Sequence, residues 1–244
     1  ITVSKYSNIL NFYIFKEDQL SKKSTDLSSQ KFALYDGSLA TLWELFGEYS
    51  EIDSPFFVQK IAKESPASLT FAANKKKAYI VENSLFFTFD NNNTYTQTFT
   101  INLSDFSFSQ KTYVKPYLET PFFEDGKPIL HFTSNSFFIE NKLLQMKSDW
   151  KKMILTVKDL EDNELKSFVI NTDVEIDFKN SEINQENQSV KNTRILDKSN
   201  QLLRKISNLN ASVSCYSNNQ TILLTLGGVS ILQNNNGVMI GSMI

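Results

Sequence analysis

The chain has one histidine, one cysteine, 7 glycines and 5 prolines in 244 residues, and each scarcity closes a route. With His131 alone, no site within one chain holds two histidine ligands, which removes the two- and three-histidine zinc sites and the two-histidine iron triad. Cys215 is the sole cysteine, so neither an internal disulfide nor a cysteine-rich metal site can form. There is no G-x-S-x-G nucleophile elbow, no Walker loop and no dinucleotide fingerprint. Arginine is confined to Arg194 and Arg204. A net charge of −2 and a pI of about 5.6 give no basic face for nucleic acid. The most apolar stretch, 221–232, falls short of the roughly twenty residues a bilayer span needs. It reads as two short strands around Gly227-Gly228, and no membrane span is expected.

What is present fits an ordinary folded chain. Hydrophobic residues make up 41% and charged residues 21%, enough to build a core and too apolar for wholesale disorder. Phe numbers 20, Asn supplies roughly a tenth of the residues, and lysine replaces arginine almost throughout. These are amino acids of A/T-rich codons, so the bias reads as genomic.

The fold class expected is α+β, mainly β, with antiparallel sheets, a helical hairpin in the N-terminal half and a later amphipathic helix. Ile1–Lys16 reads as strand, Glu17–Gln30 as a polar loop and Phe32–Tyr35 as strand. Leu39, Leu42, Trp43, Phe46 and Tyr49 recur at helical spacing. A second helix begins at Ser54-Pro55, with Ser54 as cap and Phe57, Ile61 and Ala62 inward. Lys75-Lys76-Lys77 reads as a solvated turn or strand edge. Tyr95–Ser104 alternates apolar and polar residues, which predicts one face on a core and one in water. The phase slips at Asp105, so a bulge or turn is expected there.

In the second half, Pro128–Thr133 reads as a strand carrying His131, and Leu143, Met146, Trp150 and Met153 have helical spacing. A hairpin of 154–158 and 168–178 follows. Ile195, Leu202, Ile206 and Leu209 form the stripe of a polar amphipathic helix over 181–210. Asn236-Gly237 signals a closing hairpin. The apolar last strand needs covering, which points to continuation or intersubunit pairing. The expected division is 1–110, an α+β domain; 111–180, a second β-rich region; 181–210, the helix; and 211–244, C-terminal strands.

Candidate chemistry is sparse. His131, between Leu130 and Phe132, reads as a structural histidine, and nothing local makes a thiolate pair of it with Cys215. Asp173, Glu175 and Asp177 alternate with apolar residues and would project from one strand face. They are either a calcium site, because hard oxygen ligands suit that ion, or the wet face of a strand, the preferred reading. Trp43 and Trp150 could serve as sugar platforms, but both lie on helical core stripes. No catalytic residue and no cofactor is expected. The function expected is a non-enzymatic structural subunit of a larger assembly, such as a phage tail, baseplate or virion component. Its partners would be protein subunits in a homo- or hetero-oligomer, and its setting a virion, the extracellular space or a cell surface. The alternatives are a bacterial surface adhesion or glycan-binding module and a carboxylate-dependent hydrolase.

Overall fold

A computed structural model describes residues 1–34, 37–46, 54–55, 58–119, 123–124, 127–128, 132–186, 193–218, 221–234 and 237–243. The apolar N-terminal run forms β1 (Thr2–Val3) and β2 (Ile9–Lys16). The polar segment after it is not a loop but a strand, β3 (Gln19–Asp26), paired with β2 over its whole length. Glu17 and Asp18 close this hairpin at φ of 50° and 59°, as a two-residue type I′ turn requires. Backbone pairing thus orders a Ser- and Lys-rich segment that has little side-chain burial to offer.

β4 (Phe32–Ala33) and β5 (Leu39–Ala40) form a short ladder, followed by α1 (Leu42–Phe46) and β6 (Ser54–Pro55), which returns to pair with β1. The expected helical hairpin is not seen. Among the described residues of its first arm, Leu42–Phe46 are helical, started by Glu44 Oε2, which accepts from the Thr41 N–H at 2.7 Å. Leu39 is on β5 and exposed. Ser54-Pro55 lies in a strand, and Ile61 on β7 (Gln59–Ile61) is buried through parallel pairing with the strand that follows. Of the residues at helical spacing, Leu42 and Trp43 are buried on α1, while Leu39 belongs to a strand and faces outward. Tyr49 and Phe57 lie outside the described residues.

α2 (Leu69–Ala72), capped by Ser68 Oγ, leads into β8 (Lys76–Val81), β9 (Ser84–Phe89), β10 (Tyr95–Asn102) and β11 (Phe108–Val114). With β7 they form a five-stranded sheet, order β11-β10-β9-β8-β7. The phase slip at Asp105 is a hairpin turn in which Phe106 takes φ 63° and Phe108 pairs with Ile101. Strand β11 runs across position 110.

β12 (Phe123–Glu124) and β13 (Lys127–Pro128) pair with each other. The next sheet is a meander of β14 (Thr133–Ile139), β15 (Lys142–Ser148), β16 (Lys152–Asp159) and β17 (Glu164–Asn171). The helical spacing of Leu143, Met146 and Met153 therefore belongs to two strands, and Trp150 sits in the turn between them, 45% exposed.

Residues 181–210 are only partly helical: β18 (Ile183–Glu186) and β19 (Thr193–Leu196) pair before α3 (Ser199–Ile206) begins. Leu203 and Ile206 of α3 are buried, whereas Ile195 points outward from β19. β20 (Asn210–Ser217), β21 (Ile222–Asn234) and β22 (Gly237–Met243) complete a sheet of order β19-β18-β22-β21-β20. β21 is one 13-residue strand that passes straight through Gly227-Gly228, not two short ones. Asn234 pairs with Gly237, as the hairpin signal predicted.

The chain is thus mainly β, 55% strand and 8% helix, in several antiparallel sheets. Two cores meet at the β7–β11 sheet. Phe87, Phe89, Phe99 and Ile101 on one face pack with Val3, Leu10, Phe32 and Trp43. Tyr79 and Phe86 on the other pack with Phe137, Phe138, Leu203 and Val213. Thr96 and Thr98 of β10 are therefore not in water: they are 0% and 3% exposed, and Gln145 of β15 donates to Thr96 Oγ1.

Candidate functional site

Strand parity puts Lys77 on the same face of β8 as Tyr79, and carries Thr88 and then Asp90 to that face at the end of β9. The β14–β17 sheet closes over this face and traps a cluster of charges. Lys77 Nζ lies 3.3 Å from Asp90 Oδ2 and Lys115 Nζ 3.2 Å from Asp90 Oδ1, with all three side chains 0% exposed. The basic run expected at the surface therefore supplies a buried ion pair. Lys75 Nζ also turns inward and donates to the Ser134 carbonyl.

Every polar atom of the central trio is engaged. Lys77 also donates to the Asn74 carbonyl (2.5 Å) and Asn135 Oδ1 (2.6 Å), and Lys115 to the Asn92 carbonyl (2.7 Å) and Ser134 Oγ (3.1 Å). Asp90 accepts in addition from Thr96 Oγ1 (2.8 Å), Ser136 Oγ (2.7 Å) and the Ser136 N–H (3.0 Å). Asn135 Nδ2 reaches the carbonyls of Ala73 (2.9 Å) and Ala211 (2.8 Å), tying α2 and β20 to the same point. A buried ionic cluster persists only when its lone pairs and protons are consumed in this way.

The electrostatics follow from three ammonium groups sharing one carboxylate. Burial raises the Asp90 carboxyl, but Lys115, Lys77 and Lys75 outweigh it and hold the group well below the usual carboxylate range. Burial lowers Lys75 and Lys77 to about 8 each, only partly offset by Asp90. Lys115 is lowered by the same burial.

Beside the cluster lies a cavity of about 1060 Å³, lined among others by Lys75, Asp90, Asn93, Ser134, Asn208 and Ser230. Lys75 presents there an amine able to exchange a proton near neutral pH. Ser134 Oγ accepts from Lys115, an ammonium held by Asp90, and its own proton points to Asn93 Oδ1 at 3.4 Å, not to a base. The arrangement fastens sheets together more readily than it activates a nucleophile.

The residues singled out from the sequence are scattered. Asp173, Glu175 and Asp177 follow β17 in turns and irregular backbone, all exposed, with Asp173 at φ 62°. Asp173 Oδ1 accepts from Asn200 at 3.1 Å. The strand alternation that would have aligned them is not there, and among the described residues no group of three His, Cys, Asp or Glu is placed to hold a metal ion. Cys215 is buried, and burial pushes its thiol up to about 12, far from a thiolate. His131 lies outside the described residues. Trp43 is buried against Tyr6, ring centroids 5.6 Å apart, whereas Trp150 is exposed with Lys151 Nζ 4.8 Å from its ring. Sequence reading missed Lys77, Asp90, Lys115 and Asn135. The one available signal was parity, which places Lys77 beside Tyr79 and away from Ile80. Among the described residues no helix is long and apolar enough to cross a membrane. Comparison with protein-family models, with curated proteins and with solved structures gave no match.

Proposed function

We propose that the chain is a non-enzymatic structural subunit of a larger protein assembly, of the kind that builds a virion or phage tail. The observation that carries this reading is the β2–β3 hairpin. Its register places Tyr13 and Phe15 opposite Lys22 and Leu20 on one face. There Tyr13, Phe15 and Leu20 are 44%, 71% and 66% exposed. These strands form the edge of a four-stranded sheet, order β3-β2-β1-β6, whose other face buries Leu10 and Phe12, so the apolar residues on the outer face are left asking for a cover. The saturated Lys77–Asp90–Lys115 cluster supports the same reading, since it braces sheets and leaves no group of the trio uncommitted.

Light scattering over a concentration series tests the proposal. The intact chain should self-associate, and a Tyr13→Ser/Phe15→Ser/Leu20→Ser variant should stay monomeric with an unchanged melting temperature. A chain that is monomeric throughout, with hairpin amides exchanging as slowly as those of the cores, overturns it.

A further inference from the structure

Lys77 and Lys115 commit every donor inside the fold, and Lys75, just before β8, does not. An ammonium carries three donors, and Lys75 Nζ uses one of them, on the Ser134 carbonyl. Its side chain lines the cavity of about 1060 Å³.

Positive charge gathers around Ser134. Its carbonyl accepts from Lys75 and its Oγ from Lys115 at 3.1 Å. Lys147 lies opposite it in the β14–β15 ladder, so the two side chains leave the same face. Lys147 is 9% exposed, and its ammonium stands 4.7 Å from the centre of the Phe132 ring, in the cavity wall. Among the described residues, Asp90 is the one carboxylate that pairs with any of Lys75, Lys77, Lys115 and Lys147, and its two oxygens are taken by Lys77 and Lys115. Cations are thus in excess where little water reaches them, a costly arrangement unless a counterion is supplied. Burial, and after it Lys115 and Lys77, loosen the Lys75 proton against the pull of Asp90 and bring the group to about 8. At pH 7 most of it is still charged.

We propose that this cavity binds a small oxyanion, a carboxylate or a phosphate, with Lys75 as its counterion. An anion beside Lys75 supplies the negative charge that Asp90 already divides between two other lysines. Further donors come from separate elements: Asn91 and Asn93 after β9, Asn210 at the start of β20 and Ser230 on β21. Among the described residues the side chains of Asn91, Asn210 and Ser230 make no hydrogen bond, and Asn93 uses only Oδ1, on Ser134 Oγ. A halide offers a single point to donors spread over four segments, whereas an oxyanion offers several acceptor oxygens. The volume is likewise that of a small-ligand site. The site does not depend on whether the chain assembles.

Titration calorimetry of the full chain in about 0.15 M sodium chloride tests this, with inorganic phosphate, acetate, citrate and glucose as probes. Phosphate or a carboxylate should bind with a Kd of about 1 mM or below, and which of the two binds names the source of the oxyanion. Lys75→Met should weaken that binding about tenfold or more, Lys75→Arg should retain more of it, and Lys60→Met, at an exposed lysine, should change nothing. Lys75→Met takes a charge from a cluster with cations in excess, so it should melt no lower than the parent chain. The bound probe should raise the melting temperature of the parent and not that of Lys75→Met. No binding of phosphate or carboxylate over the chloride, glucose binding as tightly, or an affinity that Lys75→Met leaves unchanged, overturns the proposal.

Discussion

Lys77 Nζ stands 3.3 Å from Asp90 Oδ2, and neither side chain is reached by solvent. The carboxylate is shared with Lys115 on its other oxygen. Removing one partner of a buried pair costs more than the pair contributes, because the remaining charge has no water to turn to.

Asp90→Asn would leave Lys77 and Lys115 buried without a counterion. The expected loss is about 3–5 kcal/mol, a large part of the stability of an ordinary domain. In urea melts, the double variant with Lys77→Met should lose less than the two single variants added together. Strict additivity would show that the two groups are not coupled.

Alkaline pH should act in the opposite sense from acid. Lys75 and Lys77 titrate near 8 in the folded chain and near 10.4 when unfolded. Between those values the unfolded chain binds more protons, so stability rises as pH increases through the window. Asp90 is held low in the fold, so its contribution is present above the unfolded value of about 3.9 and is lost as pH falls through the folded one. Urea melts at pH 9.5 should exceed those at pH 7 by a few kcal/mol, about 2 for each lysine, and Lys75→Met should shrink the difference. A decline over that range would contradict the assignment.

Asn135→Ala removes the acceptor 2.6 Å from Lys77 and the amide serving Ala73 and Ala211. Buried groups left unpaired put the cost at about 2–4 kcal/mol. Hydrogen exchange should quicken at Ala73 and Ala211 before it does on β2. Uniform quickening would mean that Asn135 does not tie α2 to β20.

Gly228 faces the end of α3. A Cβ there would stand 3.0 Å from Leu209 Cβ and 3.5 Å from Ile206 Cα, so Gly228→Ala requires the Leu209 side chain to give by a few tenths of an ångström. Overpacking of this kind costs about 1–3 kcal/mol. Urea melts of Gly228→Ala should show this loss, and an unchanged midpoint would mean that Leu209 gives way freely.

Local pattern was enough to read the strand-rich class and the hairpin that pairs Asn234 with Gly237, but of the stripe Ile195, Leu202, Ile206 and Leu209 only Ile206 is fully buried and Ile195 is exposed on a strand. The class and the hairpin depend on short-range periodicity and turn chemistry, which the chain states directly. Parity likewise separated Phe99 and Ile101 from Thr96 and Thr98 on β10, but it could not say what lay over the threonines. That depended on the β14–β17 sheet, tens of residues away, which turned a face expected in water into one buried against Gln145. Lys77, in a run read as solvated, became a core residue for the same reason. The helical spacings at Leu39–Tyr49 and Leu143–Met153 misled because apolar residues on neighbouring short elements can imitate a single helix face. Composition and periodicity thus determined the kind of elements. Only the packing of one sheet on another decided which polar groups lost their water, and so which had to find each other.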